Sequence, residues 1–137
     1  MSATGFRWRL RVYYEDTDAA GIVYYANYLK FMERARTEWL RSFGIDQSEL
    51  AQSDDVRFVV SRLGVHYREP ARLDDQLDVT VDISRFGRAS FDMSQRVLRS
   101  DGTELAVADV RIACLHATRL KPCAIPSSLL SELRREN

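Results

Sequence analysis

The sequence has few of the features that mark exported, membrane-spanning or metal-binding proteins. Its 137 residues include two cysteines, which do not form a C-x-x-C pair, and only two histidines. Residues 1–14 lack the apolar run and the cleavage site of a signal peptide. No stretch approaches the roughly 18–20 apolar residues of a transmembrane helix. We therefore expect a cytoplasmic protein of one domain, residues 1–137, with free thiols.

Neither sign of charge is in excess, because 20 Lys and Arg residues balance 20 Asp and Glu residues. A nucleic acid or an acidic membrane would need a basic excess in its protein partner, so we expect neither as a partner. Only Lys30 and Lys121 are lysines, and every other basic residue is arginine. Two interpretations stay open: biased genomic base composition, or phosphate recognition by the planar guanidinium group.

The periodicity of apolar residues predicts one long helix and five strands. Phe6–Tyr14 alternates with period two and predicts a half-buried strand. From Val23 the period changes to that of an amphipathic helix, which ends near Phe43 with Gly44 as its C′ residue. The remaining predicted elements are a short helix at Gln47–Gln52, strands at Val56–Arg68, Gln76–Ser84, Ala89–Arg99 and Glu104–His116, and a tail helix at Pro126–Arg135.

The short connections between the predicted strands indicate an antiparallel sheet. Parallel strands need long crossovers, so we expect the last four strands to form a meander of sequential neighbours. One sheet face must cover the apolar helix, which predicts the α+β class, with a five-stranded antiparallel sheet around one long central helix. Such a sheet leaves two free edges. Because pairing with a second copy would cover one of them, we expect a homodimer.

Common catalytic and metal-binding motifs are absent. The sequence lacks G-x-S-x-G, H-E-x-x-H, a P-loop and G-x-G-x-x-G. His66 and His116 each lie within a predicted strand, and we interpret both as structural or surface residues. Cys114 lies on the inward face of its strand and is expected to be a packed thiol. With no cluster of potential ligands, we expect no metal and no cofactor.

The chemically densest segment lies between the first strand and the helix. Glu15, Asp16 and Asp18 fall within four residues, and Ala19-Ala20-Gly21 follows at once. One interpretation is that Asp16 or Asp18 stabilises the helix start. A second is an acyl-transfer site, in which a carboxylate and the free N–H groups of the helix start face one space. An Asp-x-Asp pair can also bind Mg²⁺ beside a nucleotide, although the sequence does not predict an α/β fold of the kind that binds nucleotides.

The motif resembles that of the hotdog-fold acyl-CoA thioesterases. The matching residues are the run YYEDTDAAGIVY at 13–24, ANY at 26–28, ERARTE at 33–38, PARLDD at 70–75 and FRW at 6–8. The similarity covers nearly the whole chain and is greatest to the branch associated with the bacterial Tol–Pal system. The 4-hydroxybenzoyl-CoA thioesterases share the D-x-D-x-x-G-I-V core.

The resemblance implies dimers that often pair into homotetramers, with active sites at the dimer interface. It implies that Asp18 is the catalytic carboxylate, as general base or nucleophile, and that the backbone N–H of Tyr25 binds the thioester oxygen. Gly21 lets the substrate approach the backbone. Some members of the branch carry histidine where this chain has Tyr25, so the chain matches the hydroxybenzoyl pattern there.

The expected substrate is an acyl-CoA, whose phosphates need basic residues. Arg85 and Arg88 flank the tight turn Phe86-Gly87 and are the candidates, although the favoured interpretation of the two is as solvated turn residues. A non-catalytic hotdog module that binds acyl thioesters or envelope or lipid-synthesis proteins stays open. So does a hotdog dehydratase, which would pair the acid with a histidine from elsewhere.

Overall fold

The computed structural model describes residues 5–135, so both ends of the predicted domain, residues 1–4 and 136–137, lie outside the described part. The regular elements follow the predicted periodicity closely. They are β1 (Phe6–Arg11), α1 (Asn27–Arg41), α2 (Gln47–Asp54), β2 (Val56–Tyr67), β3 (Gln76–Phe86), β4 (Ser90–Arg99), β5 (Glu104–His116) and α3 (Ser127–Arg135), with a 3₁₀ turn at Tyr14–Asp16.

The five strands form one antiparallel sheet in the order β1-β3-β4-β5-β2. The predicted meander is therefore wrong for β2, which pairs with β5 and not with β3. The link that follows β2 is eight residues long, 68–75. Eight extended residues reach about 26 Å, whereas strands three positions apart lie only about 14 Å apart. A link of this length therefore does not force β2 and β3 to be neighbours.

Helix α1 packs against one face of this sheet, which confirms the predicted sheet-and-helix core. Its buried residues join the alternating apolar residues of β3, β4 and β5 in one hydrophobic cluster. The helix contributes Tyr28, Phe31, Met32, Ala35, Trp39 and Leu40.

Helix α1 ends as predicted and begins later than predicted. Gly44 has φ +81° and donates to Arg41, while Ile45 donates to Leu40, which is the Schellman pattern with glycine at C′. The predicted start at Val23 is wrong, because Val23 forms an antiparallel bridge with Thr17 and its N–H donates to the Ala71 carbonyl at 2.9 Å, so α1 begins only at Asn27.

Strand β1 is also shorter than predicted. Val12 is fully buried as expected, but Tyr14 is 82% exposed. The 3₁₀ turn at Tyr14–Asp16 breaks the strand alternation and turns the Tyr14 ring away from the core.

The polar side chain of Gln95 lies inside the core and joins the helix to the sheet. Gln95 of β4 is fully buried. Its amide nitrogen donates to the Met32 carbonyl at 3.1 Å and the Thr80 carbonyl at 3.2 Å, and its amide oxygen accepts from Arg36 at 2.9 Å. Burial lowers the pKa of the Arg36 guanidinium below its usual value. Gln95 thus satisfies groups whose isolation in the core would be unfavourable.

We predict that Gln95→Leu lowers the free energy of unfolding by about 2–4 kcal/mol, because it strands the Arg36 guanidinium and the Thr80 carbonyl. Urea denaturation measures the change. The matched control Gln52→Leu lies on the exposed face of α2 and should change stability by less than about 0.5 kcal/mol. Equal effects of the two substitutions would contradict the role given to Gln95.

Candidate active site

The acidic motif forms a tight hairpin immediately before α1. Thr17 and Val23 form a bridge, the Asp18 N–H donates to Ile22, and the Gly21 N–H donates back to Asp18, both at 2.9 Å. Gly21 has φ +79°, a left-handed conformation that favours glycine. A Cβ at Gly21 would meet no heavy atom within 4 Å. Glycine is therefore needed here for its backbone conformation, and the space beside it is open.

The hairpin separates the roles of its two aspartates. Asp16 is a scaffold residue, because its carboxylate accepts from the Tyr13 N–H at 2.8 Å and its carbonyl accepts from the Tyr24 N–H at 3.0 Å. Asp18 is exposed, and one carboxylate oxygen accepts from the Ala20 N–H at 2.9 Å. Neither aspartate side chain caps α1, although the Asp16 carbonyl accepts from the Asn27 side chain in the first turn of the helix.

The start of α1 has no side-chain cap. Ala26 occupies the N-cap position and the first turn has no acidic residue. Within residues 5–135, the Tyr25 N–H has no hydrogen-bond acceptor. Free N–H groups at a helix start carry partial positive charge and bind anions and polarised oxygens. The first turn of α1 is therefore open to an oxygen atom of a ligand.

Two tyrosines and an asparagine hold this first turn in place. The Tyr67 hydroxyl, at the end of β2, donates to the Tyr25 carbonyl at 3.0 Å. The Tyr28 hydroxyl accepts from the Ala71 N–H at 2.9 Å. The Asn27 side chain donates to the Asp16 carbonyl at 2.9 Å, which ties the helix to the hairpin. No sequence pattern predicts the contact of Tyr67, because it depends on how β2 reaches the helix.

Asp18 lies in the hairpin that leads directly into the first turn of α1. The pKa of the Tyr24 phenol is raised, first by its hydrogen bond with the Tyr25 hydroxyl and, more weakly, by the charge of Asp18. The exposed Asp18 carboxylate and the uncapped turn thus belong to one continuous segment of the chain.

The predicted arginines lie at the opposite end of the sheet. Strand β3 starts opposite Arg11, near the hairpin, and runs to Phe86, which places the Phe86–Arg88 turn about 30 Å away. Arg85 bonds to Asp92 at 2.9 Å, and Arg111 bonds to the same carboxylate at 2.8 Å. Together, with Arg111 the stronger influence, they lower the pKa of Asp92 to about 2.

Arg88 differs from Arg85 in being available. Its side chain is exposed and has no hydrogen-bond or ion-pair partner in the described part of the chain. The structure therefore places Asp18 and Gly21 in one hairpin that continues into the Tyr25 turn, and places Arg85 and Arg88 at the other end of the sheet within one chain.

Neither histidine lies among these groups in a catalytic arrangement. His66 is exposed on β2, and His116 lies 3.8 Å from the Asp55 carboxylate. Across residues 5–135, no group of three or more His, Cys, Asp or Glu residues is placed to hold a metal ion. In the same range, no helix is long and apolar enough to cross a membrane.

The chain is similar to known proteins in sequence and in fold. The family described as the thioesterase-like superfamily matches residues 12–133. The acyl-CoA thioester hydrolase YbgC of Escherichia coli O6:H1 is 43% identical over 135 residues, which cover 98% of this chain and all of that protein. Among solved structures, a probable thioesterase from Bartonella henselae is 36% identical, with a TM-score of 0.83 over 88% of this chain and 98% of that one. A 1,4-dihydroxy-2-naphthoyl-CoA thioesterase from Synechocystis shares the fold at 22% identity, with a TM-score of 0.87 over 94% and 95% of the two chains.

The positive φ of Gly21 leads to a stability prediction. Because the space beside Gly21 is open, Gly21→Ala should lower the free energy of unfolding through backbone strain alone, by about 1 kcal/mol. Gly21→Asn should cost less, since asparagine tolerates the left-handed region. Denaturant titration of both variants checks the order, and an alanine variant as stable as the parent would show that the turn does not need glycine.

Proposed function

The chain belongs to the thioesterase-like superfamily and has its hotdog fold, and from this premise we propose that it hydrolyses acyl-CoA thioesters at the Asp18 hairpin. One observation carries the proposal: the exposed Asp18 carboxylate lies in the hairpin that leads directly into the uncapped start of α1. Hydrolysis of a thioester needs both a group that delivers the attacking oxygen and a donor for the oxyanion.

In the proposed reaction, the thioester carbonyl oxygen accepts a hydrogen bond from the Tyr25 N–H. Asp18 then takes a proton from water as the water oxygen attacks the carbonyl carbon, or attacks that carbon itself to form a mixed anhydride that water hydrolyses. In both routes the C–S bond breaks, and CoA leaves as the thiolate that a proton converts to the thiol. The helix start stabilises the negative oxygen in each tetrahedral intermediate.

The positions of Asp18 and Arg88 support a site shared between two copies of the chain. The exposed residues Val60, Leu63 and Tyr67 lie on β2, whose outer edge has no partner strand among residues 5–135. Tyr67 lies at the hairpin end of β2, and Val56 at the end near the Phe86–Arg88 turn. Antiparallel pairing of two β2 edges would therefore bring the arginine turn of one copy towards Asp18 of the other.

In this proposal Arg88 binds a CoA phosphate, and Arg85 supports the turn through its bond to Asp92. The resemblance extends the proposal to tetramers of two dimers, to a cytoplasmic location, and to a link with the Tol–Pal system and with envelope or lipid-synthesis proteins.

The first functional prediction concerns Asp18. Asp18→Asn keeps an oxygen that can accept from the Ala20 N–H, so it should fold normally, while turnover should fall by about 10²–10⁴-fold. Turnover is measured with a thiol reagent that detects released CoA. The substrates are short aliphatic, long aliphatic and aromatic acyl-CoAs. The control Glu15→Gln changes an exposed carboxylate three residues away and should keep the parent rate.

The same panel distinguishes catalysis from binding alone. Parent-rate hydrolysis by Asp18→Asn would remove Asp18 from the mechanism. Binding of acyl-CoA without CoA release from any substrate by the unmodified protein would instead identify a non-catalytic binding module.

A second prediction isolates the Tyr25 N–H from the Tyr25 ring. Tyr25→Pro removes an N–H that makes no internal hydrogen bond, so kcat should fall by about 10²–10³-fold. Tyr25→Ala removes the ring and keeps the N–H, so its kcat should remain within a few-fold of the parent. Steady-state kinetics on one acyl-CoA compares them, with unfolding curves as a check on the fold. Equal losses in both variants would assign the effect to the ring and contradict the oxyanion role.

A further inference from the structure

The two cysteines lie side by side near the end of β5. Their sulfur atoms are 3.6 Å apart, although the residues are nine positions apart in the chain. After β5 the chain turns back, and the Cys123 N–H donates to the Cys114 carbonyl at 3.0 Å. Leu115 and Pro122 form a bridge in the same turned segment. Backbone pairing therefore holds the two thiols opposite each other.

The two thiols differ in their access to solvent. Cys114 is fully buried, whereas Cys123 is partly exposed. Burial is the larger reason, and the neighbouring Cys123 the smaller one, that the pKa of the Cys114 thiol is raised to about 12. The thiolate is the reactive form of cysteine. Cys123 is thus the thiol that reacts with an oxidant first. Cys114 lies behind it, where it can attack the Cys123 sulfur and release the part of the oxidant that is bonded there.

We propose that Cys114 and Cys123 are a reversible dithiol–disulfide site that fastens the segment 121–125 to β5 when it is oxidised. With a low-molecular-weight disulfide as oxidant, the Cys123 thiolate attacks one sulfur and the oxidant's S–S bond breaks. The first small thiol leaves and takes up the proton that Cys123 lost. Cys114 then loses its proton, attacks the Cys123 sulfur and releases the second small thiol.

This exchange is balanced and needs little movement. Two protein thiols are oxidised to one disulfide, and the small disulfide is reduced to two thiols. The sulfur atoms must close from 3.6 Å to about 2.0 Å, between residues whose backbones are already hydrogen-bonded to each other.

The fastened segment connects three parts of the molecule. The Ile125 N–H donates to the Arg88 carbonyl at 2.9 Å, beside the turn at the end of β3. Helix α3 follows and buries Leu129 and Leu133 in the core. In the reduced protein, hydrogen bonds and packing hold this segment, so a covalent bond to β5 is expected to restrict its opening.

The test uses the full folded chain and oxidised glutathione. We expect both free thiols to disappear while the mass shows no retained glutathione and no second chain, and we expect a higher Tm than for the reduced protein. Trypsin cleavage at Arg119, which is exposed between the two cysteines, supplies an independent readout. The fragment beginning at Leu120 should stay attached on a non-reducing gel and separate when a reductant is added.

Single substitutions separate the two thiol roles. Cys114→Ala should stop at one glutathione on Cys123, and Cys123→Ser should leave Cys114 unmodified until the protein is unfolded. Retention of glutathione on Cys123 in the unmodified chain would overturn the proposal. A disulfide between chains, or separation of the cleaved fragment without reductant, would also overturn it.

Discussion

The first turn of α1 is the constraint on which the rest of the site depends. The Tyr67 hydroxyl donates to the Tyr25 carbonyl in this turn. Tyr28 joins the helix to the link after β2, and Asn27 joins it to the hairpin. None of these contacts uses the Tyr25 N–H. The turn is thus rigid and still has a free donor, which is the combination that oxyanion stabilisation needs.

The rest of the fold holds α1 against the sheet and pairs several of its arginines with carboxylates far from this turn. Gln95 joins α1 to β4 inside the core, so the helix cannot slide along the sheet without breaking polar contacts that have no replacement. On the opposite sheet face, Asp92 pairs with Arg85 and Arg111. The zero net charge therefore includes arginines that are neutralised locally, and Arg88 stands apart from them as an exposed cation.

Sequence periodicity predicted the elements well because each of them buries one face. The end of α1 at Gly44 was predictable because its capping chemistry is local. Topology was less predictable, since the length of the link before β3 sets only an upper limit on the distance that it spans. The start of α1 was missed because a tertiary hydrogen bond from Val23 to Ala71 competes with helix formation.

In the site, too, local features were predictable from the sequence and tertiary contacts were not. The resemblance predicts Asp18 as the catalytic carboxylate, which stays a prediction, and the backbone contacts of Asp16 make that residue part of the scaffold. Tyr67 could not be predicted, since only the folded sheet brings it to the helix.

The central claim is that the uncapped first turn of α1 binds the thioester oxygen. The most direct measurement is the infrared carbonyl stretch of an acyl-CoA, labelled with ¹³C at the thioester carbon and bound to Asp18→Asn, in which turnover is slow. A hydrogen bond from the Tyr25 N–H weakens the C=O bond, so we expect a lower frequency than in water and its recovery when Tyr25→Pro is added. A bound carbonyl with the frequency that it has in water, or a shift that persists in the double variant, would contradict the account.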